Sequence, residues 1–497
     1  MTTRRELRRR RLAARRRFRL AVAALTVVAL AVRLASVLGS THLSPLGDAF
    51  YYHSAADLLV AGHGFVDPWY WYGQHRVVQT ASWPPLFVAV LATAAAVGAK
   101  SFLAQRVWCC LVGAALVPLV ACTGRRMAGA RVGLVAGALA ALYPNLWLSD
   151  DLGLSETLSP LLVAGVLLLA YRFWQRPGPR RALALGAAVG VAALGRDEMA
   201  LYVPLVLVPL ALLAHLGWRR RLVLAGLGTL AALVTVAPWV GYNMHRFRDP
   251  TFISSGLGIT LASANCDRTY RGPLEGYWSV DCALDVRVDP HADQSVQGAQ
   301  YQTEALHYVR AHAGRLPAVA LARLGRAFGA FHPMEQVALD ATLESRPRRW
   351  ALVGLVSYYA LAATTLVGLV VLRRRRVPVL PLLGVGVAVA LTVVVTFGQT
   401  RYRTPLEVVL VLGAAVALGA PRRRARHRHD LGGTSGASGE GGAELAAALA
   451  VLDAARPAAP DTTGGPRPAP VLVGAGARAL DSAPRAEAAS GATVLVR

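Results

Sequence analysis

The sequence predicts an all-α polytopic membrane protein, and three observations lead to this class. Hydrophobic residues make up 55% of the 497-residue chain, and its mean hydropathy is +0.42. Long runs of Ala, Val and Leu contain few charged residues, as membrane-spanning helices require. The net charge of +25 is concentrated in short arginine blocks between those runs, which is typical of cytoplasmic loops. Because membrane-flanking arginines account for the charge, it does not indicate nucleic-acid binding.

Ten apolar segments are predicted to span the membrane. They are residues 20–38, 107–123, 132–148, 158–174, 182–195, 200–216, 222–241, 351–372, 378–397 and 405–420. The first is interpreted as an uncleaved helix rather than a signal peptide, because no clear small-x-small cleavage site precedes the polar stretch. If the N terminus is cytoplasmic, every short arginine block falls on the cytoplasmic side. We therefore expect a multi-pass plasma-membrane protein with cytoplasmic N and C termini and an extracytoplasmic active site.

One further apolar segment, PPLFVAVLATAAAVGA at residues 84–99, is predicted not to span. It has about 14 apolar residues, which is shorter than a spanning helix needs, and it starts with two prolines, a helix-entry signal. Counting it as a span would place the later arginine blocks outside. We predict a juxtamembrane or re-entrant helix within a first external loop at residues 39–106. A short tilted span, giving eleven in all, is the alternative.

The chain is thus divided into three parts. A basic cytoplasmic tail at residues 1–19 precedes a membrane domain at residues 20–420, which includes a large external loop at residues 242–350. Residues 421–497 are basic and then rich in Gly, Ala, Pro and Ser, and we interpret them as a disordered cytoplasmic tail.

The large external loop carries two further features. Its two cysteines, Cys266 and Cys282, are predicted to form a disulfide, because the exterior is oxidising. Apolar residues recur at helical spacing further along, which predicts an amphipathic helix lying on the bilayer surface. This apolar stripe consists of Ala320, Leu324, Ala327, Phe328 and Phe331, with Arg323 and Arg326 lying off it.

Six short motifs occur in order along roughly residues 15–420. They are DAFYYHSAADLLVAGHGF, WPPLFVAVLA, LSETLSPLLVAG, GRDEMALYVPLV, APWVGYN and RYRTPLE. Together they resemble the membrane glycosyltransferases of the GT-C class, in particular the protein O-mannosyltransferase and lipid A aminoarabinose transferase branch, glycosyltransferase family 39 and its bacterial relatives. This resemblance implies a GT-C fold with about ten transmembrane helices, juxtamembrane helices in the first external loop and a large external loop.

The resemblance also implies an activity. In such enzymes a sugar moves from a polyprenyl-phosphate donor in the bilayer to an acceptor outside, with inversion in a single displacement. Asp48 would then be the general base and Glu156 a second acid that orients the acceptor or helps to hold a metal. Arg401 and Arg403 would bind the donor phosphate, with Arg196 as a further candidate, because guanidinium groups suit phosphate oxygens. Arg401 and Arg403 alternate around Tyr402, so one of them is free to point away.

The sequence departs from the pattern of these enzymes at two places. Asp197 stands where the Arg-Pro-Glu turn usually has proline. Ser82 and Trp83 precede the Pro-Pro pair, where the aminoarabinose transferases carry an acid and a basic residue. The cofactor therefore stays unassigned, with a divalent metal ion as one option. The sugar is also open, as is the choice among protein, lipid and glycan acceptors.

Simpler roles exist for the same residues. Asp48 could cap the following helix. Glu156 could be an acid at a helix N terminus, where the helix dipole favours negative charge. Arg401 and Arg403 could anchor the chain at the membrane interface. A transporter or lipid-linked-sugar flippase would place ionisable groups deep in the spans. Arg33, near the outer end of the first span and able to snorkel, is the clearest such group. A catalytically inactive relative is a third alternative.

Overall fold

Helices form nearly all of the regular structure in the computed structural model, which describes residues 4–40 and 43–420. Over these residues there is no β-strand, and only one isolated bridge joins Val66 to Gln79. The predicted all-α class is therefore confirmed. The predicted disordered tail at residues 421–497 lies outside the described residues.

Twenty α-helices follow one another along this part of the chain. In order they are α1 Arg4–Leu38, α2 Asp48–Val60, α3 Pro68–Gln74, α4 Pro85–Ala96, α5 Phe102–Ala114, α6 Leu116–Ala128, α7 Ala130–Leu142, α8 Ser159–Gln175, α9 Pro179–Gly195, α10 Val208–Leu212, α11 Trp218–Arg246, α12 Leu257–Ala264, α13 Asp267–Tyr270, α14 Val280–Leu284, α15 Gln294–Ala311, α16 Leu316–Ala327, α17 Pro333–Thr342, α18 Arg348–Arg374, α19 Leu380–Val395 and α20 Thr404–Gly419. Short 3-10 or π segments lie at Pro144–Leu146, Asp150–Leu152, Ser155–Thr157, Asp197–Leu201, Val203–Leu207, Ala313–Arg315 and Thr400–Arg403.

Six helical segments of the described chain are long and apolar enough to cross a membrane. They are Arg8–Leu38, Phe102–Ala128, Ser155–Gln175, Trp218–Arg246, Arg348–Arg374 and Thr400–Gly419. Each coincides with one of the ten predicted spans, and together they make this a helical membrane protein.

The other four predicted spans are shorter or interrupted. Predicted span 132–148 overlaps α7, which has only 13 residues and ends at Leu142, because Pro144 cannot continue the helix. Predicted span 200–216 is divided among a 3-10 turn, a π segment and the five-residue α10, since Pro204 and Pro209 each remove a backbone donor. Predicted spans 182–195 and 378–397 become α9, with 17 residues, and α19, with 16.

The first loop is largely helical. It contains α2, α3 and α4, and α4 has only 12 residues. Phe87 and Leu91 of α4 are buried in one apolar cluster with Tyr52 of α2. The segment at residues 84–99 thus has the length expected of a juxtamembrane helix, and its packing fixes α2, the helix that begins at Asp48.

The amphipathic interpretation of α16 is wrong in one respect, because the helix packs on protein. Ala327 is buried in one cluster with Val389 and Val393 of α19. Arg323 and Arg326 are 4% and 0% exposed. Arg323 donates to the carbonyl oxygen of Val394 over 2.8 Å, so its charge lies at the C-terminal end of α19, where a cation is favoured.

Cys266 and Cys282 are joined by a disulfide, which is the pairing expected from the sequence. The bond closes a segment that begins after α12 and ends within α14.

Two glycines let α9 and α11 pack with their backbones in contact. A Cβ atom added to Gly186 would overlap the carbonyl oxygen of Gly228. Small residues permit such close helix approach within membranes.

Replacing Gly186 with alanine should therefore lower the free energy of unfolding by about 1–3 kcal/mol, because the added methyl forces the helices apart. Gly165→Ala on α8 is a matched control, since nothing lies within 4 Å of its Cβ position. That variant should be neutral or slightly more stable. Unfolding in detergent measures both, and equal stability of the two variants would contradict the proposed contact.

Candidate functional site

Arg401 contacts carboxylates from three separate parts of the chain. Its Nη2 atom donates to Asp48 Oδ2. Its Nε atom lies 3.1 Å from Glu156 Oε1, and Nη1 donates to Glu344 Oε2 over 3.0 Å. The guanidinium group thereby joins the start of α2, the turn before α8 and the connection between α17 and α18.

A second guanidinium group extends this arrangement. Arg196 lies 2.6 Å from Glu156 Oε1 and 2.5 Å from Glu198 Oε1, and it stacks over the ring of Tyr402. Burial disfavours its charge, but Glu198 and Glu156 hold the pKa of Arg196 well above its usual range. We call the two arginines with their acids, Asp48, Glu156, Glu198, Glu344, Arg196 and Arg401, the carboxylate–guanidinium cluster. Four carboxylates against two guanidinium groups leave it with a formal charge of −2.

Backbone geometry at Gly47 brings Asp48 to this cluster. Gly47 has φ 53°, a left-handed conformation that glycine adopts without strain. It is also the N-cap of α2, and no side chain caps that helix end. The alternative role of Asp48 as a cap is therefore not adopted, because Asp48 is the first helical residue and its carboxylate turns to Arg401.

The cluster's acids differ in accessibility. The side chain of Asp48 is 24% exposed, whereas that of Glu156 is 1% exposed. Glu156 accepts from one guanidinium group and contacts the other, so both of its neighbours depend on it for charge compensation. Asp48 and Glu198, whose side chain is 22% exposed, are the two acids that a bound molecule could reach, and Asp48 is the one held by Arg401.

Arg403 is not part of this cluster. Its Nε atom donates to Glu407 Oε1 over 2.7 Å, and Nη1 donates to the carbonyl oxygen of Ala327 over 2.8 Å. The group also lies 3.6 Å from the ring centroid of Tyr358. Of the two arginines around Tyr402, Arg401 faces the acids of the predicted external loops, and Arg403 turns toward α20.

Some members of this site were missed by sequence reasoning. Glu198 had a local signal, since it directly follows Asp197 in the GRDE turn. Glu344 and Asp340 had none, because no motif surrounds them in the large loop. Asp340 accepts a 2.6 Å hydrogen bond from Thr400, the residue before Arg401. Gln399 donates to Glu344, so α17 and the segment after it hold the Thr400–Arg403 turn.

These acids do not fit a divalent metal ion in this arrangement. Among the described residues, no group of three His, Cys, Asp or Glu side chains is placed to hold one. Glu156 Oε1 is already shared by Arg196 and Arg401, and the Arg401 guanidinium group bridges Asp48 and Glu156. A metal ion between these carboxylates would have to displace the guanidinium group of Arg401.

A buried ion pair supports the segment that carries Glu156. Arg33 Nε lies 2.9 Å from Asp150 Oδ2, and both side chains are fully buried. Arg33 also donates to the carbonyl oxygen of Leu146. The expectation that Arg33 would snorkel to the interface is wrong, because its charge is compensated inside the protein.

Asp197, the departure from the Arg-Pro-Glu pattern, makes a contact that proline could not. Its carboxylate accepts a hydrogen bond from the hydroxyl of Ser254, which lies in the segment after α11. Burial and the neighbouring Glu198 raise its pKa to about 6.

Comparison with known proteins gives one family match. Residues 82–242 match the family described as dolichyl-phosphate-mannose-protein mannosyltransferase. The matched residues include Glu156 and Arg196 but neither Asp48 nor Arg401. Over these residues the match confirms the predicted resemblance to membrane glycosyltransferases. No curated protein sequence matches this chain.

Several solved structures are similar at low sequence identity. An oligosaccharyltransferase from Archaeoglobus fulgidus, in complex with zinc and sulfate, is 14% identical with a TM-score of 0.48, over 80% of this chain and 48% of that one. AglB from the same organism, with an inhibitory peptide and a dolichol-phosphate, is 13% identical with a TM-score of 0.49, over 81% and 50%. ArnT from Cupriavidus metallidurans, bound to undecaprenyl phosphate, is 19% identical with a TM-score of 0.41, over 80% and 77%. The chain spans about half the length of the archaeal proteins.

Replacing Arg401 with methionine should lower the free energy of unfolding by about 3–5 kcal/mol, because it leaves buried carboxylates without their counter-charge. Arg268→Met is the matched control, since the Arg268–Asp285 pair is half exposed or more and such pairs contribute less than about 1 kcal/mol. Denaturant unfolding of both variants measures the difference. An Arg401→Met protein as stable as the control would contradict the central position of Arg401.

Replacing Asp197 with asparagine should change the pH dependence of stability. The pKa of Asp197 is raised to about 6 on folding, so the folded protein binds this proton more tightly than the unfolded chain. The stabilisation of the folded state by this protonated carboxyl group is complete below about pH 4 and is lost as pH rises through 6. The free energy of unfolding of Asp197→Asn should therefore be about 1–3 kcal/mol higher than that of the unmodified protein between pH 5 and 8. The exposed Glu304→Gln should show no such gain, and parallel pH curves for Asp197→Asn and the unmodified protein would disprove the effect.

Proposed function

We propose that this protein is a membrane glycosyltransferase that moves a sugar from a polyprenyl-phosphate donor to an acceptor hydroxyl or amine. The observation that carries the proposal is the meeting of Asp48, Glu156 and Arg401 in one cluster, although 353 residues separate Asp48 from Arg401. The family match over residues 82–242 supports the same reaction class.

Asp48 acts as the general base in this reaction. Arg401 holds its Oδ2 atom, and Oδ1 is left to accept the proton of the acceptor. As that O–H or N–H bond breaks, the acceptor atom bonds to the anomeric carbon, and the bond from that carbon to the phosphate oxygen breaks. The sugar inverts its configuration, and polyprenyl phosphate leaves with the bonding electron pair. A positioned base accelerates such a step by roughly 10²–10⁴-fold.

Glu156 and the arginines position this base. Glu156 supplies negative charge to Arg196 and Arg401, and Arg401 in turn orients Asp48. Arg196 and Arg401 can donate to the donor phosphate only by exchanging a carboxylate partner, because four acids already compensate them. Arg403 faces a different part of the molecule, where a phosphate would meet fewer carboxylates.

The proposal also places the donor, the acceptor and the termini of the protein relative to the membrane. The lipid chain of the donor stays in the bilayer, and its sugar reaches the cluster at the extracytoplasmic face, with both termini of the protein in the cytoplasm. The acceptor is a protein, a lipid or a cell-envelope glycan. The steps above use no divalent ion, since the guanidinium group of Arg401 already bridges Asp48 and Glu156.

Asp48→Asn should lower the transfer rate by roughly 10²–10⁴-fold, because asparagine cannot take the acceptor's proton. The assay uses purified protein in lipid with radiolabelled polyprenyl-phosphate sugars and a cell-envelope extract. Asp57→Asn is the matched control, since Asp57 lies on the same helix and accepts from Gln105, a bond that asparagine can keep.

The outcomes separate the alternatives. Donor consumption that survives Asp48→Asn would remove Asp48 as the base. Folded protein that consumes no donor, yet moves the lipid-linked sugar across a vesicle membrane, would establish a flippase. A folded protein that showed neither sugar transfer nor lipid movement with any donor would support the third alternative, an inactive relative.

A further inference from the structure

The segment closed by the disulfide, residues 266–282, packs against the chain just before the Thr400–Arg403 turn. We call it the disulfide-closed segment. The backbone N–H of Gly398 donates to the carbonyl oxygen of Gly276 over 2.8 Å. The next residue of the segment, Tyr277, is fully buried. The segment therefore meets the start of the turn inside the protein rather than at its surface.

Two arginines in or directly before α16 fix this segment through its backbone. Arg315 donates to the carbonyl oxygen of Tyr270 over 2.8 Å. Arg326, which is buried, donates to the carbonyl oxygens of Pro273 and Glu275. Hydrogen bonds from charged donors are stronger than those between neutral groups. The disulfide-closed segment is therefore held firmly against α16.

Gln399 extends this support to the carboxylate–guanidinium cluster. It is 2% exposed, and its Nε2 atom donates to the hydroxyl of Tyr277 over 3.3 Å and to Glu344 Oε1. Glu344 Oε2 accepts from Arg401 Nη1 over 3.0 Å, and Arg401 Nη2 donates to Asp48 Oδ2. These five side chains form what we call the hydrogen-bond chain. It runs from the disulfide-closed segment to the carboxylate of Asp48.

The backbone around Gln399 leaves little room for movement. A Cβ atom added to Gly398 would overlap the carbonyl oxygen of Arg323 on α16. On the other side, the carbonyl oxygen of Gln399 accepts from the backbone N–H of Tyr402 over 3.2 Å. A displacement of Gln399 would therefore shift the Thr400–Arg403 turn, which carries the central guanidinium group of the cluster.

We propose that Gln399 is a positioning residue, which couples the disulfide-closed segment to the Asp48 carboxylate through the hydrogen-bond chain. Arg401 holds Asp48 Oδ2, so a rotation of its guanidinium group moves this carboxylate relative to the acceptor. A misplacement of about 1 Å that originates far from the reacting atoms can lower a rate by about 10²-fold. The expected effect on sugar transfer rests on the proposed function, whereas the expected effect on the Thr400–Arg403 turn does not.

The first test compares Gln399→Met with Gln297→Met in protein held in lipid nanodiscs. Methionine keeps the length of the side chain but removes both hydrogen bonds of the Gln399 amide. Gln297 is the control, since it lies on α15 in the same loop and its amide donates to the carbonyl oxygen of Asp289 over 2.9 Å. One readout is the kcat and KM of sugar transfer from the donor that the unmodified protein consumes. The other is hydrogen exchange of the backbone amides of residues 397–404, measured without donor.

Gln399→Met should lower kcat by roughly 10- to 100-fold and leave the KM for the donor unchanged, because the base is misplaced while donor binding is retained. Exchange in residues 397–404 should become faster, since the turn loses its support. Gln297→Met should change neither readout. A merely structural role would lower the unfolding temperature and leave the kcat of the folded protein unchanged, which would overturn the proposal.

A double variant tests whether Gln399 and Glu344 act along one chain. Gln399→Met combined with Glu344→Gln should lower kcat no further than the more damaging single change, because both changes act on Arg401. Losses that add fully would show two independent effects and would overturn the hydrogen-bond chain.

Tyr277→Phe decides the question if Gln399→Met does not fold. It removes the hydroxyl that accepts from Gln399 but keeps the buried ring. Tyr308→Phe is its matched control, since the Tyr308 hydroxyl donates to Asp267 over 2.6 Å in an exposed part of the same loop. Tyr277→Phe should lower kcat and speed exchange in residues 397–404, whereas Tyr308→Phe should do neither. Unchanged values of both readouts in Tyr277→Phe would refute the coupling.

The two readouts separate this proposal from the proposed function. If the unmodified protein transfers no sugar from any donor, the proposed function fails, and faster exchange in Gln399→Met would still support the coupling to the turn. If the unmodified protein transfers sugar and Gln399→Met has normal kcat and normal exchange, the coupling fails and the enzyme stands. A lower kcat with unchanged exchange would exclude the turn as the route and would also overturn the coupling.

Discussion

The interaction of Arg401 with three carboxylates is the constraint on which the rest of this structure depends. Asp48, Glu156 and Glu344 come from the first loop, from the turn before α8 and from the end of the large loop. Each would be costly to bury alone, because a desolvated carboxylate needs a compensating charge. One guanidinium group contacts all three, so the segments that carry them must converge where the Thr400–Arg403 turn enters α20.

The same requirement appears elsewhere in the protein. Arg33 is matched by Asp150, and Arg403 by Glu407, in pairs that are almost fully buried. Arg323 is buried without an ion-pair partner in the described chain, and it donates to backbone carbonyl oxygens instead. Burial and motif membership therefore do not by themselves show which arginine is compensated by a carboxylate.

Sequence patterns predicted the helical class and most of the cluster but not the lengths of all helices. Hydropathy located ten apolar segments, and proline then shortened or interrupted two of them, at Pro144 and at Pro204 with Pro209. The stripe on α16 predicted an amphipathic helix, but periodicity cannot tell a bilayer from a protein surface. Carbonyl oxygens at the end of α19 and in neighbouring segments of the large loop bind Arg323 and Arg326, and thereby turn them inward.

The sequence by itself determined the membrane class, the order of the motifs and the candidacy of Asp48, Glu156, Arg196 and Arg401, because charge, hydropathy and short motifs are local properties. Tertiary structure alone decided that Arg401 faces the acids while Arg403 turns away, and that Glu344 completes the cluster. These outcomes depend on which side chains meet across hundreds of residues, and the energy of a charge depends on its neighbours in space rather than in sequence.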